Sequence, residues 1–240
     1  MMTKQLRIDI WSDIACPWCY VGKRRLEAAL ASFAHREAVQ VVWRSFQLDP
    51  GAPKSLPNDS GYAERLAKKY GTTPAQGAAM IKRMTDTAAL DGIAMDFEHI
   101  RPGNTFDAHR LLHWAHGKGA QDALKERLFG AYLCEGKAIG EHDVLLTLVA
   151  ELGLDVDEAQ AVLATDAHAA DVRADIEQAR ALGIDGVPFF VVGQRYGVSG
   201  AQSAETLLTA LNKWWEENTP LTIVSEGEVC GPDGCGPVAS

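Results

Sequence analysis

The chain has no long hydrophobic run, no surplus of positive charge and few cysteines for its length. No stretch of its 240 residues approaches the roughly 20 consecutive apolar residues that a membrane-spanning helix needs. Its N-terminus lacks the apolar core of a secretory signal peptide, so we expect a cytoplasmic protein with no membrane partner. Its 23 lysines and arginines against 32 aspartates and glutamates argue against nucleic-acid binding, which needs a basic surface to displace counterions.

The five cysteines are the most informative residues of the sequence. Cys16 and Cys19 form one close pair, Cys230 and Cys235 form a second, and Cys134 stands alone. In the cytosol a disulfide is usually transient and catalytic or redox-sensing, and the short loops between these paired cysteines leave little to gain in stability. The pairs therefore predict redox chemistry, whereas the helical spacing of Cys134 among apolar residues predicts a buried, inert thiol.

The hydrophobic pattern around the first pair predicts a βαβ unit. Apolar and polar residues alternate over 6–11 and again over 39–46, and a helical period follows Cys16. The Cys-Pro-Trp-Cys motif then lies where the helix begins.

The rest of the chain is predicted to be mostly helical. Helical periodicity runs from 57 to 183, a β hairpin follows over 187–198, and a last helix lies near 203–217. Residues 219–240 contain prolines, glycines and acidic residues without lysine or arginine, which predicts an extended tail.

A cysteine pair at a helix start has a specific chemical consequence. The N–H groups and the positive end of the helix favour the thiolate of Cys16, which predicts that Cys16 is the nucleophile. Cys19 lies one turn later and can attack the mixed disulfide that Cys16 forms. Pro17 suits the first turn of a helix, and Trp18 offers an apolar contact surface beside the reactive sulfur.

A second motif, Gly-Val-Pro-Phe-Phe at 186–190, places a proline at the start of a strand. If the bond between Val187 and Pro188 is cis, this loop can stand opposite the cysteine turn and offer the Val187 backbone to an extended substrate. The plainer interpretation is an edge-strand proline.

Taken together, the two motifs, the helical segment between them and Tyr-Gly-Val-Ser-Gly-Ala-Gln at 196–202 resemble the DsbA family, specifically its FrnE-like branch. The resemblance implies an α/β, thioredoxin-like fold over 1–56 and 184–218, a large all-helical insertion over 57–183 and a tail over 219–240. It also implies a cis Pro188 and a thiol–disulfide oxidoreductase or isomerase without a cofactor. Its partners are then protein thiols and disulfides and a cellular reductant such as glutathione or thioredoxin.

The residue between the cysteines modifies this expectation. Periplasmic members of the family commonly carry histidine where this chain has Trp18. A neutral indole cannot stabilise the neighbouring thiolate as a cationic imidazole does, so we expect a less oxidising pair than in DsbA.

The tail cysteines have two interpretations. Pro-Asp-Gly between Cys230 and Cys235 is a turn sequence that can bring the two sulfurs together. A tethered dithiol of this kind can exchange with the Cys16–Cys19 pair as an internal redox relay. Alternatively, the two thiols are incidental features of an extended tail.

Two further functions compete with the oxidoreductase hypothesis. One is a glutathione-dependent isomerase or transferase of the kappa-class type, whose members generally have serine rather than a cysteine pair at the motif. The other is a non-catalytic binding module in which zinc is held by both cysteine pairs.

Four polar side chains remain as weaker candidates. His109, His113 and His116 fall on one stripe of a predicted helix, where a metal site and a half-buried flank are the alternatives, and the flank is favoured. Asp13, three residues before Cys16, either assists proton transfer to Cys19 or caps the turn.

Overall fold

The computed structural model describes residues 4–56, 61–218, 229–231 and 234–236. Its six strands in this described part are β1 Leu6–Ser12, β2 Val39–Ser45, β3 Phe189–Val192, β4 Tyr196–Ser199, β5 Val229–Gly231 and β6 Gly234–Gly236. Its α-helices there are α1 Pro17–Ala31, α2 Tyr62–Tyr70, α3 Pro74–Leu90, α4 Phe106–His116, α5 Gln121–Leu133, α6 His142–Glu151, α7 Val156–Ala164, α8 Ala169–Ala181 and α9 Ala204–Glu217. None of these helices is both long and apolar enough to cross a membrane.

The main sheet has four strands in the order β2-β1-β3-β4. β1 and β2 are parallel and α1 connects them, which is the predicted βαβ unit. β3 runs antiparallel to β1 and forms the predicted hairpin with β4. Helices α2 to α8 all lie between β2 and β3 in the chain, so the expected all-helical insertion is present.

Several helices begin where their capping residues predict. Thr73 accepts a hydrogen bond from the backbone N–H of Gln76, whose side chain returns the contact in a capping box. Asp155 and Ser203 cap α7 and α9 in the same way, each accepting from the backbone N–H three residues later. These local rules account for the confirmed helix starts.

Buried apolar side chains form two large clusters that meet along α1. The later turns of α1, with Leu26 and Ala29, pack with the sheet and with Leu207 and Leu211 of α9. The first turn of α1 instead packs into the cluster of the helical insertion. The cysteine motif therefore lies at the junction of the two parts.

The insertion also covers the edge of the sheet that β2 forms. The Gln121 amide pairs with both the N–H and the carbonyl oxygen of Trp43, each at 3.0 Å. Asp175 of α8 accepts a hydrogen bond from the N–H of Ser45 at 2.9 Å. Because β2 is an edge strand, these side chains satisfy backbone groups that another chain could otherwise pair with.

Asp175 holds the insertion to the sheet through several contacts. Its buried carboxylate lies 2.9 Å from the Arg44 guanidinium and 3.0 Å from His113, and its backbone carbonyl accepts from the Trp11 indole N–H at 2.9 Å. Burial works to raise the pKa of Asp175, but the bonds from His113 and Ser45 and the charges around it keep that pKa below its usual value. The carboxylate therefore stays ionised.

The tail contains the last two strands. β5 and β6 form a short antiparallel pair in which Cys230 and Cys235 are opposed, so the backbone brings these two positions together as the Pro-Asp-Gly sequence predicts. Residues 219–228, 232, 233 and 237–240 lie outside the described residues.

Replacing Asp175 by alanine should lower the free energy of unfolding by about 3 kcal/mol. The change leaves the buried Ser45 N–H without its acceptor and removes one of the two carboxylates that Arg44 contacts, the other being that of Asp9; breaking a buried ion pair from one side is strongly destabilising. Urea denaturation measures the effect. Asp171→Ala, an exposed position on the same helix, is the control and should change stability by less than about 1 kcal/mol. Equal losses in the two variants would contradict this account.

Candidate redox site

Cys16 and Cys19 occupy the first turn of α1, as predicted. Cys16 is the N-cap residue with extended backbone angles, and Pro17 fills the first helical position. The N–H of Cys16 donates to the carbonyl oxygen of Asp13, and the N–H of Cys19 donates to that of Cys16, both at 3.1 Å. Both cysteines are free thiols in this structure.

The two thiols differ in access. Cys16 retains 4% of its surface and lines a cleft of about 470 Å³, whereas Cys19 is completely buried. A substrate sulfur can therefore reach Cys16 from the cleft but cannot reach Cys19.

The peptide bond between Val187 and Pro188 is cis, so the conditional prediction is confirmed. The Sγ of Cys16 lies 3.5 Å from the carbonyl oxygen of Val187, across the cleft floor. α1 approaches this loop closely because residue 22 is glycine: a Cβ there would lie 3.0 Å from Cγ of Pro188. The loop thus stands opposite the cysteine turn.

The two thiols share a proton through a hydrogen bond. That bond and burial raise the pKa of Cys16 well above that of an ordinary thiol. Burial also acts to raise the pKa of Cys19, but the Cys16 hydrogen bond and the positive charge of Lys125 outweigh it and lower that pKa. The reduced pair therefore holds one thiolate, which the shared proton and Lys125 stabilise. The role of Cys16 as the nucleophile stays a prediction.

Asp13 is buried, and the structure shows one of the two roles predicted for it, which is capping of the turn. It accepts from the N–H groups of Leu48 at 2.8 Å and Ala15 at 3.4 Å, and it contacts Nε2 of His109 at 3.4 Å. Burial alone would raise the pKa of Asp13, but the His109 contact and the Leu48 N–H bring that pKa below its usual value. Asp13 thus caps the turn as an anion, and a part in proton transfer stays a prediction.

The histidine stripe is divided among separate partners. His109 is buried against Asp13, and burial lowers its pKa, so it donates from Nε2 as a neutral ring. His113 contacts Asp175 and Ser45, and His116 is exposed. Over residues 4–56 and 61–218, no three His, Cys, Asp or Glu side chains are grouped as a metal site.

Cys134 is less buried than the sequence indicated. It is the C-cap residue of α5, and it is only half-buried against the core of the insertion. Burial and the neighbouring Glu135 raise the pKa of Cys134, so it remains a protonated and unreactive thiol.

The cleft in front of Cys16 is largely apolar. Of the six large apolar side chains that are exposed in the described part of the chain, four line it: Trp18, Leu48, Tyr70 and Met80. Lys69 and Arg83 lie at its border. Trp18 was identified from the sequence, but the residues from α2 and α3 were not, because only the fold brings those helices to the motif.

The most important residue that sequence reasoning missed is Lys125. Its side chain is completely buried beneath the pair, next to Cys19, and burial lowers the pKa of Lys125 to about 8. One signal for it was present: Lys125 falls on the same helical face as Leu124 and Leu128, which is the buried face of α5.

The second cysteine pair is described only through its backbone. Cys230 and Cys235 face each other across β5 and β6. Residues opposed in this way have Cα atoms about 4.5–5.5 Å apart, which is within the range that a disulfide spans. Their side chains lie outside the described residues.

Comparison with protein families gives a match over most of the chain. A model described as the DSBA-like thioredoxin domain matches residues 7–212. The chain belongs to the DSBA-like thioredoxin family. Its predicted thioredoxin-like fold with a helical insertion and its membership among thiol–disulfide oxidoreductases are thereby confirmed.

Known relatives of this DsbA-like chain agree with that assignment. A probable DsbA oxidoreductase from Streptomyces coelicolor is 44% identical and superposes with a TM-score of 0.83, over 98% of this chain and 100% of its own. Uncharacterized protein YwbO of Bacillus subtilis (strain 168) is 26% identical over 209 residues, 86% of this chain and 96% of YwbO. The cytosolic disulfide reductase DsbM from Pseudomonas aeruginosa shares the fold, at 19% identity and a TM-score of 0.59, over 88% and 99% of the chains.

Replacing Asp13 by asparagine should lower stability at neutral pH but not in acid. Because the folded protein holds the pKa of Asp13 below its unfolded value, the ionised carboxylate stabilises the fold above about pH 4. That contribution disappears as the pH falls through the folded-state pKa, where wild type and variant both carry a neutral side chain. Urea denaturation of the oxidised protein across a pH series should show the two curves converging in acid.

The matched control is Asp86→Asn, an exposed carboxylate paired only with Lys82. It should leave stability nearly unchanged at every pH. A constant gap between wild type and Asp13→Asn from neutral pH into acid would refute the assignment.

Proposed function

We propose that this protein exchanges disulfides with polypeptide substrates through Cys16 and Cys19. The observation that carries the proposal is the asymmetry of the pair: Cys16 opens onto an apolar cleft and Cys19 is sealed behind it. Cys16 therefore forms the bond with the substrate sulfur, and Cys19 releases the substrate.

The reaction balances with these two sulfurs alone. With the shared proton on Cys19, the Cys16 thiolate attacks a substrate disulfide, a mixed disulfide forms, and one substrate sulfur leaves as a thiolate. Cys19 gives its proton to that leaving thiolate and then attacks Sγ of Cys16, and the second substrate sulfur leaves as a thiolate. The substrate gains two electrons and the pair becomes a disulfide. The same steps in reverse oxidise a substrate dithiol.

The surroundings of Cys16 support a polypeptide substrate. An exposed apolar patch beside a reactive group is typical of a binding site for apolar chains, and Trp18 and Tyr70 provide such a surface. The Val187 carbonyl, held at the cleft floor by the cis bond to Pro188, offers a backbone acceptor to an extended chain.

A small thiol is the proposed partner that returns the pair to its reduced form. DsbM, which shares the fold, has been crystallised with glutathione. Lys69 and Arg83 at the cleft border can attract the carboxylates of such an anionic thiol. Glutathione or thioredoxin is therefore the proposed reductant. This agrees with the cytoplasmic location and the FrnE-like role proposed for this chain.

The tail pair is proposed as a relay for the same electrons. Cys230 lies thirteen positions after Glu217, the last residue of α9, and a chain of that length spans at most about 45 Å. That reach is comparable to the diameter of a globular protein of this size. The opposed backbone positions of Cys230 and Cys235 allow them to form the disulfide that such a relay requires.

Single-turnover stoichiometry tests the roles of the two cysteines. The experiment uses a Cys230→Ser, Cys235→Ser background and no added thiol reagent. Reduced protein mixed with an excess of a protein disulfide should then release two substrate thiols per chain. Cys19→Ser should release one and remain joined to the substrate, because nothing resolves the mixed disulfide. Cys16→Ser should release none, because Cys19 is buried. Counting released thiols and mass spectrometry measure the outcome.

Cys134→Ser is the control and should behave as its parent. If Cys19→Ser instead turns over small substrates in the presence of glutathione, and none of the variants acts on proteins, the kappa-class alternative gains and the proposal fails. Zinc bound stoichiometrically by reduced protein would favour the binding module.

Removal of the tail pair should slow steady-state turnover. The Cys230→Ser, Cys235→Ser variant loses an intramolecular partner whose effective concentration is roughly millimolar, so insulin reduction should fall several-fold when the external reductant is well below that concentration. In a Cys19→Ser, Cys235→Ser background, the Cys230 thiol should attack the mixed disulfide that Cys16 forms with a substrate disulfide, release the substrate thiol and leave a Cys16–Cys230 disulfide. Unchanged turnover together with no such species would remove the relay while leaving the Cys16–Cys19 chemistry intact.

A further inference from the structure

Lys125 is a buried lysine without a hydrogen bond. Its side chain has no exposed surface, and among the described residues its Nζ has no hydrogen-bond partner. The Nζ lies 4.8 Å from the ring centroid of Phe129 and 5.5 Å from that of Trp43. Aromatic faces attract a cation, but they do not replace the water that an ammonium group loses on burial.

The protein treats another buried lysine quite differently. Lys23 of α1 is just as enclosed, yet its ammonium group is surrounded by three carboxylates, those of Glu27, Asp122 and Glu126. Lys125 is therefore an exception within the same region, and its charge requires another anion.

The titratable groups that face Lys125 come from three other parts of the fold and from its own helix. They are Cys16 and Cys19 of the α1 turn, Asp13 from the loop before it, His109 of α4, and Asp122 of α5. Asp13 already accepts from Leu48 and His109, and Asp122 accepts from the Trp43 indole and pairs with Lys23. Because buried His109 is neutral, the ionised Asp13 keeps its charge and is one anion that faces Lys125. The other is the thiolate of the reduced Cys16–Cys19 pair.

We propose that Lys125 stabilises the thiolate of the reduced Cys16–Cys19 pair electrostatically and thereby raises the redox potential of that pair; this rests on the proposed dithiol function and extends it. When a substrate thiolate attacks Sγ of Cys16 in the oxidised protein, the Cys16–Cys19 bond breaks and its electron pair leaves on Cys19, next to the ammonium group. The cation therefore favours Cys19 as the leaving sulfur. Lys125 does not bond to the sulfur, so it is a positioning residue.

The acid–base behaviour of Lys125 agrees with this role. Burial lowers the pKa of Lys125 to about 8, whereas the neighbouring Cys19 charge acts to raise it. In the reduced protein the two charges stabilise each other, and in the disulfide form the thiolate is gone and the buried cation is left with less compensation. Formation of the thiolate and retention of the lysine proton are thus coupled.

Lys125→Met tests the proposal, because methionine has a similar length and suits an apolar core. Thiolate formation in the reduced protein is followed by its ultraviolet absorbance in a Cys134→Ser, Cys230→Ser, Cys235→Ser background. The midpoint of this titration should shift upward by about one pH unit. The equilibrium with reduced and oxidised glutathione should move by about tenfold toward the disulfide form, which is a potential about 30 mV more reducing.

The matched control is Lys118→Met. Lys118 also lies over an indole ring, with its Nζ 5.3 Å from the Trp114 centroid, but it pairs with Glu158 rather than with the dithiol. The acid dissociation constant of its thiol pair and its equilibrium constant with glutathione should both stay within twofold of the values of the parent protein.

A packing effect is separated from an electrostatic one by measuring stability in both redox forms. If Lys125 acts through the thiolate, the oxidised form must gain stability over the reduced form by the same tenfold factor that the glutathione equilibrium shows. Equal changes in both forms, or an unshifted thiolate titration, would overturn the proposal. Lys125→Gln provides the same measurements if the methionine variant does not fold. The titration needs no substrate, so it can succeed or fail independently of activity on proteins.

Discussion

The site depends on the placement of one negative charge in a nearly dry environment. A reduced dithiol reacts only as a thiolate, and a buried thiolate is costly unless other groups compensate it. Here the hydrogen bond between the two thiols and the positive charge of Lys125 stabilise one thiolate within the pair. Of the two sulfurs, Cys16 opens onto the cleft, whereas Cys19 is completely buried and feels the charge of Lys125. Access from the cleft and compensation of the charge thus come from opposite sides of the pair.

The helical insertion does more than enlarge the fold. Its α5 supplies the cation, its α4 supplies His109 as a partner of Asp13, and its α2 and α3 supply half of the residues that line the cleft. The sheet side supplies the cysteine turn and the cis-proline loop. Because each side contributes groups that the other lacks, the contacts that fix the insertion to β2 also set the geometry of the redox site. Asp175 and Gln121 therefore belong to the support of the site although neither touches a sulfur.

Local patterns explain which parts of this arrangement could be predicted. The βαβ unit, the helix caps at Thr73 and Asp155 and the cysteine turn each follow from residues within a few positions of one another. The cis bond at Pro188 could be stated only as a condition, because the opposing turn is distant in the chain. The contribution of Lys125 to the acidity of the pair could not be predicted, since Lys125 lies more than a hundred residues away and reaches the motif only through helix packing.

Trp18 and Lys125 together show how the pair can be tuned from two sides. An uncharged indole beside Cys16 adds nothing to the stability of a thiolate on the cleft side, and it leaves an apolar surface for substrate contact. A cation behind Cys19 acts on the opposite sulfur, where it cannot meet the substrate. Stabilisation from behind raises the oxidising power of the disulfide without placing a charge in the apolar cleft. A charged residue at position 18 would couple redox potential to substrate binding, whereas a buried lysine keeps the two properties separate.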